Sequence, residues 1–294
     1  MKKHWTTVLL VLILILGVGI ILYPTFSDYW NSLHQSRAIA SYTEAVAAVS
    51  KEDYSREWAD AESYNVHLGE EENRWVPTEE ETEQYNGLLN IGGTGIMGYI
   101  EVPDINVSLP IYHGTDESVL QIAVGHIEGS SLPVGGLGTH SVVSGHRGLP
   151  SAKLFTDLDK IDLGNIFIIR VLDEIMTYEV DQVLIVEPYD LSALAIDPEQ
   201  DYVTLVTCTP YGINTHRMLV RGHRIENMAE SRTIAVVADA QQISTTVVAV
   251  IIGVLLLLLL LILMMFTTSR RSKRLRAERA AEALWGKPRE YLFD

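Results

Sequence analysis

The sequence predicts an all-β domain set between two apolar segments, and three observations carry that prediction. Short runs of β-branched and aliphatic residues recur through the middle of the chain, glycines and prolines punctuate them, and uninterrupted apolar stretches lie near either end. The runs are 96–102, 107–112, 141–144, 166–171, 177–186, 203–208 and 218–224. Their spacing fits a barrel or sandwich rather than alternating βαβ units. The roughly 140 residues of 85–226 suffice for one such domain. One cysteine in 294 residues excludes an intramolecular disulfide, so core packing must hold the domain.

The flanks set the compartment. Residues 8–23 are apolar apart from Gly17 and Gly19 and follow the basic Lys2 and Lys3. Residues 247–266 are apolar throughout, about 30 Å of helix, enough to cross a bilayer. The first run has a length that suits a signal peptide or an anchor, but Tyr23-Pro-Thr-Phe-Ser-Asp-Tyr-Trp30 offers no small-x-small cleavage site, so a retained anchor is expected. Arg270, Arg271, Lys273, Arg274, Arg276 and Arg279 follow the second run, which by the positive-inside rule puts that end in the cytoplasm. The expected order is a basic cytoplasmic N-terminus (1–7), a transmembrane anchor (8–23), an external helical region (24–84), the β-domain (85–226), a tether (227–246), a second transmembrane helix (247–266) and a basic cytoplasmic tail (267–294). Between the spans, twelve basic residues face thirty-four acidic ones, a net charge of −22. Such a domain repels nucleic acid and favours neutral or basic protein partners.

Ahead of the β-domain, Ile39, Tyr42, Val46 and Val49 recur at three- and four-residue steps and mark one face of a helix. Residues 70–84 are acidic and polar around Trp75 and Pro77 and read as an exposed loop. A short helical turn is expected at 192–195, before Asp197-Pro198.

Three segments carry chemistry. Thr204-Leu-Val-Thr-Cys208-Thr-Pro-Tyr-Gly212 reads as a strand delivering the thiol to its end, where Pro210 and Gly212 break it. His216-Arg217-Met-Leu-Val-Arg221-Gly-His-Arg224 reads as a strand that returns a guanidinium toward the sulfur, and Ser141-Val-Val-Ser-Gly-His146-Arg-Gly as an apolar run ending in a histidine at a glycine turn. A free thiol is only a few per cent thiolate at neutral pH, so attack on an amide needs a neighbouring cation or base. His146 supplies both: as imidazolium it stabilises a thiolate and protonates a departing amine, and as imidazole it deprotonates an incoming one. Arg217 carries fixed donors and a permanent charge suited to an oxyanion. His113, His126, His140, His216 and His223 compete with His146, and Arg221 and Arg224 compete with Arg217 if the strand register differs. There is no His-Glu-x-x-His and no cysteine pair, and Asp157, Asp159 and Asp162 lack the spacing of a calcium loop, so neither metal nor other cofactor is expected.

These three motifs, in this order, resemble the sortases, cysteine transpeptidases of Gram-positive bacterial surfaces, over residues 95 to about 224. The Gly95-Ile-Met-Gly-Tyr-Ile-Glu-Val-Pro103 and Gly145-His-Arg-Gly-Leu-Pro-Ser-Ala-Lys-Leu-Phe155 segments and the second apolar span are most similar to class C, the pilus-assembling sortases. The resemblance implies a closed β-barrel with short helices. It assigns Cys208 as nucleophile, His146 as acid and base, and Arg217 as electrostatic stabiliser, with Thr207 and Thr209 beside the substrate. It further implies a thioester between Cys208 and the threonine of a Leu-Pro-x-Thr-Gly signal, resolved by a pilin lysine or by the cell-wall precursor. A non-catalytic membrane-tethered binding module is the remaining alternative. Class C sortases usually carry an Asp-Pro-aromatic lid over the active site, and no such triplet occurs between Lys51 and Tyr85. Trp75, with Glu71 or Glu72 near Arg217, is the nearest substitute; the other reading leaves Trp75 as a side chain packed on the barrel.

Overall fold

The computed structural model describes residues 5–227, 252–254 and 277–281. The chain divides into two compact units, residues 19–242 and residues 1–18 with 243–294. Within the second of these, the described residues are helical. Most of the expected tether, second span and basic tail lies outside the described residues.

Helix α1 (Trp5–Ala47) is followed by α2 (Lys51–Glu70) and α3 (Glu79–Gly87). Among the described residues, the one stretch long and apolar enough to cross a membrane lies in α1, within Val11–Ala47. Ser50 caps α2 by accepting from the Asp53 amide. At α3, the Thr78 hydroxyl accepts from the Glu81 amide while the Glu81 carboxylate accepts from the Thr78 amide, a complete capping box. The expected loop at 70–84 is therefore corrected: it stops at Thr78, and the Thr78-Glu-Glu-Glu81 spelling is the helix start that composition alone obscured.

Eight strands follow: β1 (Ile96–Val102), β2 (Val107–His113), β3 (Val124–His126), β4 (Thr139–Ser144), β5 (Ile166–Val171), β6 (Glu174–Val186), β7 (Asp201–Thr209) and β8 (His216–Ile225). They close into a barrel in the order β1-β2-β3-β4-β7-β8-β6-β5. The β2–β3 and β4–β7 pairs are parallel and the rest antiparallel. Seven strands lie where the sequence places them; β3 is the addition, three residues too short to show a period. A short turn of 3₁₀ helix spans Ser192–Leu194.

Alternation divides each strand between barrel interior and outer face. Val203 and Leu205 of β7, Val143 of β4, Val220 of β8 and Ile169 of β5 fill the interior. Phe167 stacks on Tyr178 at 5.5 Å, and the pair leaves no room for a side chain at Gly222, whose added Cβ would lie 2.7 Å from the Phe167 ring. Each such large apolar side chain contributes roughly 1.5–3 kcal/mol on burial.

The helices dock through buried polar contacts. The Tyr42 hydroxyl donates to the Met97 carbonyl (3.0 Å) and accepts from the Leu172 amide (2.7 Å). The Tyr85 hydroxyl accepts from the Gly114 amide (3.0 Å) and lies 3.0 Å from His126 Nδ1. Further along α1 toward its N-terminus, Gln35 donates to the Ile122 carbonyl, Asn31 to the Ser151 carbonyl, and Asp28 accepts from the Lys153 amide.

His126 and His140 are fully buried, and burial pulls each down to about 4. The unfolded chain takes up protons at these positions near pH 6.5 while the folded chain does not, so their contribution to stability is complete above pH 6.5 and declines as the pH falls toward 4. Each histidine would cost about 3 kcal/mol across that window. Thermal midpoints measured between pH 7 and 4 should therefore fall, and His140→Gln, which titrates at neither end, should flatten the decline.

Candidate active site

Strand pairing assembles the three chemistry-bearing segments. Parallel pairing sets Ser144 beside Val206, so the residues that follow each of them run on together past the end of β4. The Gly145 amide donates to the Val206 carbonyl (3.0 Å) and the Thr207 hydroxyl donates to the Gly145 carbonyl (2.8 Å). His146 follows directly, with its carbonyl accepting from the Phe155 amide (3.1 Å). A Cβ at Gly145 would lie 2.7 Å from the Phe155 ring, which explains the glycine before this histidine. On the other side of β7, the antiparallel register sets Arg217 opposite Cys208, Leu219 opposite Val206 and Arg221 opposite Thr204.

Cys208 is a partly exposed free thiol on the outer face, in line with Val206 and Thr204. His146 is partly buried, and that burial lowers its pKa below the usual value, against the pull of Glu117. Arg217 donates to the Asn214 (3.3 Å) and His216 (3.1 Å) carbonyls of its own loop.

The competitors are accounted for. Arg221 forms a two-point ion pair with Asp181 (3.0 and 2.9 Å) and stacks 4.1 Å over Tyr202. Arg224 lies over Tyr178 and 3.8 Å from Asp201. His113 has ring nitrogens at the Gly95 and Leu88 carbonyls, and His140 bridges the Ala195 carbonyl and the Thr204 hydroxyl. His216, opposite Thr209, lies 3.3 Å from Glu187, and His223 lies 3.9 Å from Asp181.

Thr207 and Thr209, expected beside the substrate, are buried. Thr207 holds the segment that precedes His146, and Thr209 accepts from Arg147 (3.2 Å). Their position one step out of phase with Cys208 on an alternating strand is the physical reason.

Trp75 packs against the cluster of Val142, Leu194, Val206 and Leu219. Two of those residues form the cross-strand pair next to Cys208 and Arg217 on the same face. The neighbouring Arg74 escaped sequence reading. Its guanidinium stacks 4.3 Å over Trp75 and donates to the carbonyls of Gly129 (2.8 Å) and Leu194 (2.7 Å). Gly129 makes room for this loop, since a Cβ there would come within 2.3 Å of the Arg74 carbonyl oxygen. Arg147, beside His146 in the chain, was likewise missed as an organiser: it pairs with Asp159 and lies 5.9 Å from the Tyr211 ring centroid.

A sortase domain family model matches residues 100–225. The crystal structure of sortase C1 from Streptococcus agalactiae is 52% identical, with a TM-score of 0.64, covering 65% of this chain and 100% of that one. The chain belongs to the sortase family. Its class C character is shared with sortase C of Clostridium perfringens, solved with the C-terminal cell wall sorting motif, at 42% identity and TM-score 0.58 over 65% of this chain and 100% of that one. Sortase D of Bacillus subtilis (strain 168) is 30% identical over 131 residues, 44% of this chain, and the match spans 63% of that relative's length. The sequence reading as a class C-like sortase and an enzyme of that family is thus borne out.

Because the Thr207 hydroxyl is the partner of a carbonyl in the His146 segment, Thr207→Val leaves that carbonyl unsatisfied. A loss of about 1–3 kcal/mol in denaturant unfolding is expected, whereas Thr207→Ser, which keeps the hydroxyl, should retain most of the stability.

Proposed function

We propose that this sortase is a membrane-anchored cysteine transpeptidase that joins pilin subunits. The observation that carries the reading is the register that sets Arg217 opposite Cys208 with the His146 segment bonded to the adjacent β7 residues. Cys208, with its proton passed to His146, attacks the threonine carbonyl of a Leu-Pro-x-Thr-Gly-type signal. Arg217 stabilises the oxyanion, and His146 protonates the departing glycine amine as the thioester forms. A pilin lysine then attacks the thioester, giving up a proton to His146, and the isopeptide bond forms as the thiol leaves. The likeness to class C structures supports a lysine acceptor over the cell-wall precursor. The apolar run in α1 supports a membrane anchor.

Incubation with a sorting-signal peptide should give a mass-spectrometric acyl adduct on Cys208. Cys208→Ala should show none, and a residual adduct would end the thioester reading. His146→Ala and Arg217→Ala should each lower turnover by about 10²–10³-fold, the scale of one stabilising donor, with Arg217→Lys rescuing only in part. Adding pilin should produce a ladder; a single wall-linked species would point to anchoring instead.

Trp75 is the proposed cap, resting on the pair beside Cys208 and Arg217. A closed state favoured by about 1–2 kcal/mol, the scale of burying part of one large side chain, lowers apparent substrate affinity by roughly six- to thirtyfold. Trp75→Ala should speed alkylation of Cys208 by a bulky thiol reagent several-fold. Unchanged kinetics would leave Trp75 as packing only.

A further inference from the structure

We infer that the catalytic end of the barrel faces the membrane and rests on its lipid headgroups. The inference relies on the reading of α1 as a membrane anchor and follows from the order in which α1 meets the barrel. Strands β4 and β7 are parallel and deliver His146 and Cys208 at one end; Leu172, which follows β5, and Met97, at the start of β1, lie at the other. Traced from the apolar run, α1 first meets the catalytic end, where Asp28 accepts from the Lys153 amide and Asn31 donates to the Ser151 carbonyl, both in the connection that leaves His146. Gln35 then reaches Ile122, and only at Tyr42 does the helix bond to Met97 and Leu172 at the opposite end. The helix therefore climbs away from the membrane along the barrel, from the catalytic end to the far end.

Distance makes the contact close. The apolar run ends at Tyr23, and Asp28 is five residues further, about 7.5 Å of helix, comparable to the thickness of one headgroup layer. Tyr23, Phe26, Tyr29 and Trp30 are exposed on this stretch, the residue types that settle at a membrane–water interface. Pro24 falls inside the helix at the same point.

The exposed apolar side chains of the connections agree. Tyr189 (94% exposed) and Leu191 in the β6–β7 connection, Tyr211 and Ile213 in the β7–β8 connection, and Leu163 ahead of β5 all lie at the catalytic end, whereas Leu137 lies at the far end. Glu187, Asp190 and Asp159 are interspersed among them, so the contact is aromatic and aliphatic and requires no anionic lipid.

The test uses the full chain in phosphatidylcholine vesicles that contain a headgroup-nitroxide phosphatidylcholine. In a Cys208→Ser background, a fluorophore is placed through Tyr189→Cys at the catalytic end or Leu137→Cys at the far end. The label at 189 should be quenched several-fold more strongly than the label at 137. Vesicle flotation of a chain whose two labels are quenched equally, or whose label at 137 is quenched more, would overturn the inference alone. A chain that fails to float would overturn the anchor reading and the inference with it.

Discussion

The parallel pairing of β4 with β7 is the constraint on which the site depends. Two parallel neighbours end on the same side, so the residues that run past Ser144 and Val206 emerge together. No hairpin achieves this between distant segments, because antiparallel partners joined by a turn share only that turn. Barrel closure then supplies β8 on the other flank of β7, in antiparallel register, and the arginine arrives opposite the thiol. Gly145 and Thr207 fix the remaining freedom, one by admitting the Phe155 ring and the other by bonding the chain just before His146.

Alternation along β7 separates stability from chemistry at single-residue resolution. Val203, Leu205 and Thr207 face inward, and Thr204, Val206 and Cys208 outward. The outward row is a continuous apolar and polar track bounded by Arg221 at one end and Arg217 at the other. Polar groups on the inward row must find internal partners, and the Thr207 hydroxyl does so at Gly145.

Much of this was legible because strands announce themselves locally. The β1 and β5 bounds coincide with their sequence runs, Ile96-Met-Gly-Tyr-Ile-Glu-Val102 and Ile166-Phe-Ile-Ile-Arg-Val171, both dominated by strand-forming aliphatic and aromatic residues and ended by Pro103 or by a turn. The motif around Cys208 was legible because a strand ending in a thiol beside Pro210 and Gly212 is written in a few contiguous residues, and the structure ends β7 at Thr209, one residue past that thiol. What was not legible is long-range or too short. Strand β3 has three residues and owes its existence to neighbours on both sides. The inward direction of Thr207 and Thr209 needs the phase of the whole strand. Arg74 carries no local signature, because its partners are main-chain carbonyls 55 and 120 residues away.

That last feature bears on how such a loop persists as sequences diverge. Arg74 grips the barrel through the oxygens of Gly129 and Leu194, groups that every residue type possesses. Side-chain replacement at the receiving turns therefore cannot delete the acceptors; only a change in backbone path, or a side chain forced into the space kept by Gly129, can. The burden of retaining the grip falls almost wholly on one arginine, and the surface beneath it is free to drift in composition while its docking chemistry stays constant.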